Sequence, residues 1–419
     1  MSAGVKRSNV PAVVCVHGRG VNGLGLVRSL GRNGVPTYVV GIAEDRNLAE
    51  VSRYCLKSVH IKKLDGAELY EALTDLSTEF NSPSVLYLDS DKMMIELARF
   101  AMNLSDKYRF TSPLQDVLRL TDKIWQFEMA HAVGLNVPRT WQFDEWSEFE
   151  RLYLEFSGRV IAKPSPTEFS PDRMPFKIII ADDALELRKI LEAKLELPGG
   201  IIIQQFIEGP DSSVHVAMCY RSHTGHYLEG VTGVKTRQSS VGGGVMAVGT
   251  AVDIPEVREM SLSLLSAMDY HGIIELEFKY CSLEKKYYFI EFNPRAPQFN
   301  LLSCRTGFDL AMTAYSDVTG GIQKTNLSLD RDRGHYWIYF QADVFSALAG
   351  GFPRGFRAYL HPYQGEVEWA VLARDDLRPW FREVGKTLAW LAGRILHRLG
   401  HLFPRSTYFF RRNTGRDNL

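Results

Sequence analysis

Surplus charge of one sign, paired cysteine spacing, long apolar runs and low-complexity repeats are all missing from this chain, and each absence removes a class of function. Its 419 residues balance 49 Lys and Arg against 49 Asp and Glu, so no global field recruits nucleic acid. Five cysteines, Cys15, Cys55, Cys219, Cys281 and Cys304, are odd in number and lack C-x-x-C spacing. That excludes a disulfide framework or zinc ribbon and points to reduced thiols. No apolar run approaches a membrane span, and Met1 to Val10 is too short and polar for a signal peptide. The expectation is a cytoplasmic protein. No Ser-His-Asp or Cys-His set stands out; Cys304, close to Arg295, reads as a nucleophile candidate or a bland pocket-lining thiol. What is present is ordinary globular composition, 45% hydrophobic and 23% charged, in a chain too long for one core and sized for two or three domains.

The most informative stretch is Tyr288-Phe289-Ile290-Glu291-Phe292-Asn293-Pro294-Arg295. With side-chain period two, Glu291 and Asn293 share one strand face while Ile290 and Phe292 share the other. Pro294 ends the ladder and Arg295 follows it. Upstream, in Gly272-Ile273-Ile274-Glu275-Leu276-Glu277-Phe278, Glu277 takes the matching place on a second strand-like run. Two carboxylates and an amide oxygen are hard ligands suited to magnesium on nucleotide phosphates. Either acid alone reads equally as a surface residue of an amphipathic strand.

Other segments supply cations and glycine turns. Pro11 to Val16 reads as a buried strand ending in His17-Gly18-Arg19-Gly20-Val21-Asn22-Gly23-Leu24-Gly25, followed by a helical pattern and a second strand, Thr37 to Ile42. Such a unit lets backbone amides approach an anion at a helix N-terminus. Glu44 and Asp45 fall where a dinucleotide site keeps its ribose acid, so a NAD-linked dehydrogenase is a fair reading of this segment alone. Ser84 to Leu88 predicts another parallel strand, with Asp89 meeting a substrate amine and Ser90 or Asp91 capping a helix. Lys123 opens a helix capped by Asp122 and stopped by Gly134-Leu135-Asn136-Val137-Pro138. Lys163 ends the strand-like run from Gly158. Gly200 to Gln205 reads as a strand entering a turn at Glu208-Gly209-Pro210-Asp211, and Val214 to Tyr220 with Tyr227 to Val234 as a hairpin. Lys235 and Arg237 then precede Gly242-Gly243-Gly244, cations beside bare backbone amides.

This set resembles the ATP-grasp superfamily over roughly residues 10 to 320. The resemblance implies an α/β and α+β fold: a Rossmann-like domain over 1–115, an ATP-grasp nucleotide-binding subdomain over 116–205, a catalytic subdomain over 206–325 and an appendage over 326–419. It implies ATP and Mg2+, with Mn2+ as a substitute. Glu277, Glu291 and Asn293 correspond to the metal-holding positions, and Lys123 and Lys163 to the phosphate-binding lysines. Gln204, Gln205, Phe206 and Ile207 fall at the adenine hinge, and Glu208 or Asp211 at the ribose. Many members carry an acid where Gln204 stands, though an amide can still pair with adenine. Arg295, Arg237 and, second, Lys235 are the catalytic cations, while Arg19, Gly20, Asn22 and Arg305 are candidates for binding substrate. The family's flexible phosphate loop maps to Ser165 to Pro175, where Pro166, Pro171 and Pro175 replace the usual glycines.

The activity implied is ligation of a small-molecule carboxylate to an amine or amino acid through an acyl-phosphate, in the manner of amino-acid ligases that extend a peptide or cell-envelope precursor. Three alternatives stay open: an ATP-grasp kinase, a NAD-linked oxidoreductase and a non-catalytic nucleotide-binding protein. Beyond residue 325 the resemblance fades. Trp337 to Phe340 and Glu366 to Leu372 read as strands, and Trp380 to Phe403 spaces Phe381, Val384, Leu388, Leu391, Ile395, Leu399 and Leu402 on one helical face. From Arg378 to Leu419 there are nine Lys and Arg against two acids. A basic amphipathic helix of this kind suits peripheral contact with an anionic membrane, at its inner face in a cytoplasmic protein, or packs on its own protein or on a homodimer partner.

Overall fold

The protein is described by a computed structural model covering residues 10–143, 145–164, 174, 176, 178–196, 199–239, 244–321, 334–350 and 355–388. Three sheets organise it. The first is wholly parallel: β1 (Ala12–Val16), β2 (Thr37–Ile42), β3 (Cys55–Ile61), β4 (Ser84–Leu88) and β5 (Tyr108–Phe110) lie in the order β3-β2-β1-β4-β5. Every residue of β1 and β4 is buried because helices cover both faces. Val13 and Cys15 pack toward the helices Gly66–Ser77 and Asp91–Ala98; Val14 and Val16 pack toward the helix Val21–Arg32. This is the Rossmann-like unit that the strand, glycine turn, helix pattern predicts.

The second sheet comprises β6 (Thr140–Gln142), β7 (Val160–Pro164), β8 (Ile179–Ala181) and β9 (Ile201–Gln205), antiparallel in the order β6-β9-β7-β8. Leu152, Leu187 and Leu191 from two helices cover its apolar face. The third sheet contains β10 (Val214–Arg221), β11 (Tyr227–Gln238), β12 (Met246–Ala251), β13 (Gly272–Cys281), β14 (Lys286–Asn293), β15 (His335–Ile338) and β16 (Glu366–Trp369), ordered β14-β13-β10-β11-β12-β15-β16. One face packs Ala217, Leu276 and Phe278 against helices Lys123–Ala132 and Pro255–Ala267. The other packs Val216, Met218 and Tyr220 against the parallel unit at one end and opens into a cleft at the other.

Local readings at the element ends agree with the structure. Asp122 accepts from the amides of Ile124 and Trp125, Gly134 adopts φ 81°, and Ser90 accepts from Met93. Two placements differ from the division expected of the chain. Lys123–Ala132 falls within the stretch assigned to the nucleotide subdomain, yet its Phe127 and Ala130 pack on the third sheet. The strands of the expected appendage beyond residue 325 join the third sheet. β15 pairs with β12 and β16 with β15, extending the third sheet.

The C-terminal part is also bound to the first unit. Arg28, fully buried in the helix Val21–Arg32, donates from Nε to Asp376 Oδ2 at 3.0 Å and from Nη2 to the Val371 carbonyl at 2.7 Å. Asp376 also accepts from the Ser52 hydroxyl at 2.7 Å and the Arg53 amide at 2.9 Å. A buried charge is tolerated only when its partners are complete. Arg28→Met leaves the Asp376 carboxylate buried with its main cation gone, and the expected loss is about 3–5 kcal/mol of unfolding free energy by chemical denaturation; an unchanged midpoint would refute this account of the joint.

Candidate active site

A cleft of about 1400 Å³ lies where the three sheets meet. Its floor is the paired end of β13 and β14, where Glu275 faces Asn293 and Glu277 faces Glu291 across the antiparallel ladder. These four polar side chains occupy one face, as period two dictates. Ile290 departs from that alternation. The register shifts between Glu277 and Phe278, so Ile290 is an extra residue, and it lines the cleft beside Glu291 while Phe292 is buried behind the sheet. A bulge re-aims one side chain without disturbing the pair beyond it.

β14 is an edge strand, and a side chain finishes its edge beside the cleft. Gln126, buried in the helix Lys123–Ala132, accepts from the Phe292 amide at 3.1 Å and donates to the Phe292 carbonyl at 2.9 Å. This clamp fixes the start of the helix over the strand. Lys123 therefore reaches Glu291, Nζ to Oε1 at 2.6 Å. From the opposite wall Lys235, on β11, reaches Glu277 Oε1 at 2.5 Å. Lys163 projects from the end of β7 as a third cation lining the cleft.

The electrostatics follow from this crossing of lysines and acids. Burial alone would raise the Glu291 carboxyl, but the ammonium groups of Lys123 and Lys163 hold it well below the ordinary range. Glu275 has no lysine in contact; burial and the neighbouring Glu277 push it up. Its Oε2 accepts from Asn293 Nδ2 at 3.4 Å. Burial, reinforced by Lys123, pushes Lys163 down to about 8. Arg295 lies against Asp91, Nε to Oδ1 at 3.0 Å, and its Nη2 points to Asn293 Oδ1 at 3.4 Å.

The structure brings most of the candidates to this cleft: Lys123, Lys163, Lys235, Glu277, Glu291, Asn293, Arg295, Gln204, Gln205, Phe206, Ile207, Arg19, Gly20 and Asn22 all line it. Gln204 donates from Nε2 to the Thr140 hydroxyl at 3.1 Å. Phe206 lies between Arg159 and Lys279, each cation 4.3 Å from its ring centre.

Five candidates sit elsewhere. Arg237 shares Lys235's parity in the sequence, yet register shifts on either side of it set Lys235 opposite Gly249 and Arg237 opposite Val248, reversing its face. There it grips the fully buried Asp343 at 2.6 and 2.9 Å and stacks on Tyr359, serving the C-terminal part. Arg305 pairs with Glu368 at 2.7 Å, Glu208 with Arg159 at 3.3 Å, and Asp211 accepts from Gln238. Cys304 does not line the cleft, and burial raises its thiol well above the ordinary value. Most of Ser165 to Pro175 lies outside the described residues, as do residues 240–243.

Sequence reasoning missed Glu275, Asp91 and Lys279. Glu275 carried a signal, since it stands two residues before Glu277 on the same face. Asp91 was taken only as a helix cap, a role the structure gives to Ser90. In the glycine turn, Gly20 adopts φ 70°, and a Cβ there would meet Val16 at 2.3 Å, so glycine is required. The Gly18 amide donates to Asp45 Oδ2 at 2.6 Å, which commits to the turn itself the acid that a dinucleotide site would use for ribose. Asp89 accepts from the His17 amide at 3.0 Å, and burial raises it to about 7.

A Rossmann-like unit, a small antiparallel sheet and a larger, mostly antiparallel sheet enclosing a cleft of lysines and acids are the architecture that the ATP-grasp resemblance implies. Residues 250–322 match the family described as carbamoyl-phosphate synthase L chain, ATP binding domain. Solved structures agree in fold. N5-carboxyaminoimidazole synthetase from Staphylococcus aureus, complexed with ADP, superposes with TM-score 0.60 at 14% identity over 77% of this chain and 81% of its own. L-amino acid ligase from Bacillus licheniformis gives 0.56 at 15% over 75% of each. N5-carboxyaminoimidazole synthase from Aspergillus clavatus, in complex with ADP and 5-aminoimidazole ribonucleotide, gives 0.57 at 13% over 78% and 81%. No curated protein matches by sequence. The chain therefore shares the fold of these solved structures, and its residues 250–322 match the ATP-binding-domain family.

A lysine holds phosphate only as an ammonium, so if Lys163 meets the nucleotide, metal-free ATP affinity measured by calorimetry should fall as pH rises through about 8, by up to about tenfold per unit. Lys163→Arg, charged throughout, should flatten that limb. An identical pH profile in the variant would remove Lys163 from phosphate binding.

Proposed function

We propose that the protein is an ATP- and magnesium-dependent ligase that converts a small-molecule carboxylate to an acyl-phosphate and joins it to an amine or amino acid. The observation that carries this reading is the crossing of Lys123 and Lys235 over Glu291 and Glu277, with Lys163 and Arg295 facing the same cleft. Three buried or half-buried acids with three lysines form a set that a polyphosphate and a divalent cation can divide between them. Lysines suit phosphate oxygens, and Glu277, Glu291 and Asn293 are the hard donors that suit Mg2+ or Mn2+. Among the described residues no three acids or imidazoles converge into a ready metal cage. This fits a metal that arrives with its phosphates, because such an ion keeps several non-protein ligands. When bound, the metal supplies charge neutralisation on the transferred phosphoryl group.

In this reading the apolar end of the cleft takes the base. Ile207 offers packing surface beside the edge of Phe206, whose ring is held by Arg159 and Lys279, and the Gln204 amide, whose nitrogen donates to Thr140, presents its oxygen to the adenine amine. Arg295, held by Asp91, stabilises charge at the reacting phosphoryl and acyl-phosphate oxygens. Lys235 replaces Arg237 as the cation on the opposite wall. The glycine turn with Arg19, Gly20 and Asn22 lines the substrate end, beside the buried Asp89.

A panel of carboxylates and amines is the direct test. Phosphate release should require both partners, the product should weigh as their condensate, and hydroxylamine should trap a hydroxamate when amine is withheld. Phosphate transfer to the substrate without amine would establish a kinase instead, and stabilisation by NAD but not by Mg-ATP would establish an oxidoreductase. Arg295→Ala should cut turnover by about 10²–10³-fold while nucleotide affinity stays within a few fold, and full turnover in that variant would dismiss Arg295 from the chemistry.

A further inference from the structure

The C-terminal helix is docked with the wrong face inward for an element that serves only its own core. Over residues 378–388 the helix binds the protein through polar side chains. Glu383 is buried, accepts from the Tyr339 hydroxyl at 2.8 Å and pairs with Arg19 at 3.1 Å. Arg382 donates to the Asn47 carbonyl at 3.0 Å and also pairs with Glu50. Lys386 donates to the carbonyls of Asp45 and Arg46 at 3.2 and 2.7 Å. Trp380 alone among its large apolar residues packs partly on the core. Leu377, Phe381 and Leu388, which share the opposite side at helical spacing, are 43%, 62% and 60% exposed.

Monomeric proteins seldom leave such a row uncovered. In the sequence the same spacing continues at Leu391, Ile395, Leu399 and Leu402, and residues 389–419, outside the described part, add six arginines against one aspartate. We infer that this face is a docking surface for an anionic lipid membrane. The combination selects the partner. A nucleic acid would match the arginines and could stack a base on Phe381, but it offers nothing to the aliphatic Leu377 and Leu388. A second copy in a symmetric pair would set both surplus positive charges against each other. A bilayer with anionic headgroups accepts the apolar row at its acyl boundary and the arginines at its surface. Because Arg19, Asp45 and Arg46 receive the helix's polar side, the membrane-facing element sits directly behind the glycine turn that lines the cleft. No helix among the described residues is long and apolar enough to cross a membrane, and the contact inferred is a peripheral one.

The test is co-sedimentation of the full chain with vesicles of phosphatidylcholine alone and of phosphatidylcholine mixed with phosphatidylglycerol. The chain should partition to the mixed vesicles, less to the neutral ones, and less again at high salt. The paired substitution Phe381→Ser and Leu388→Ser should lower partitioning by about tenfold or more without changing the circular dichroism spectrum. Arg394→Glu with Arg398→Glu should abolish only the preference for anionic lipid. Three results would overturn the inference: wild type that stays in the supernatant with both vesicles, apolar variants that sediment like wild type, or a dimer by ultracentrifugation that the apolar pair abolishes. None of these touches the ligase reading, which is judged by product formation.

Discussion

Two crossed ion pairs, Lys123 with Glu291 and Lys235 with Glu277, set the terms for the rest of the molecule. Each carboxylate sits on the floor of the cleft and each ammonium comes from a different wall, one a helix and the other a strand of the same large sheet. Taking these charges out of water is costly unless each finds a counter-charge at contact distance. The cleft therefore stays polar and charged only while its walls hold their spacing. The Gln126 clamp on Phe292, the bulge at Ile290 and the pairing of Glu275 with Asn293 all act on that spacing.

The same constraint explains why the C-terminal region is woven into the fold rather than appended to it. Arg237 is turned to the far side of its strand and fixed by Asp343, and Arg28 is fixed by Asp376 in the first unit. Both contacts bind the outer strands and the parallel unit to the large sheet. Arg19 belongs to the glycine turn at the cleft, yet its guanidinium meets Tyr339 and Glu383. The glycine-turn end of the cleft is thus built from residues far apart in the chain.

Much of this was legible in the residues because it depends on local rules. The parallel strands announced themselves as continuous apolar runs, Asp122 and Ser90 as caps, and Glu291, Asn293 and Glu277 as one face of paired strands. What escaped depended on tertiary context. Counting parity assigns Lys235 and Arg237 to one face, and only the shifted pairing on β11 separates them. Counting likewise put Ile290 behind the sheet, whereas the bulge turns it into the cleft. Asp45 looked like a ribose acid until the Gly18 amide claimed it. Arg28 lies in an ordinary helical pattern whose partner is 348 residues away, a separation no local pattern can span. Phe381 and Leu388 were read as an apolar stripe correctly, but the polar residues between them decide which side meets the protein.

In the proposed ligase the lysines and acids of the two pairs part company when nucleotide binds, the lysines to phosphate and the acids to metal. Calorimetric titration of a non-hydrolysable ATP analogue into wild type and Glu291→Gln, with and without magnesium, examines that exchange directly. Removing the acid frees Lys123 and deletes a metal donor, so the variant should bind the metal-free nucleotide more tightly than wild type and the magnesium complex more weakly. Weakening of both to the same degree, or no change in either, would contradict it.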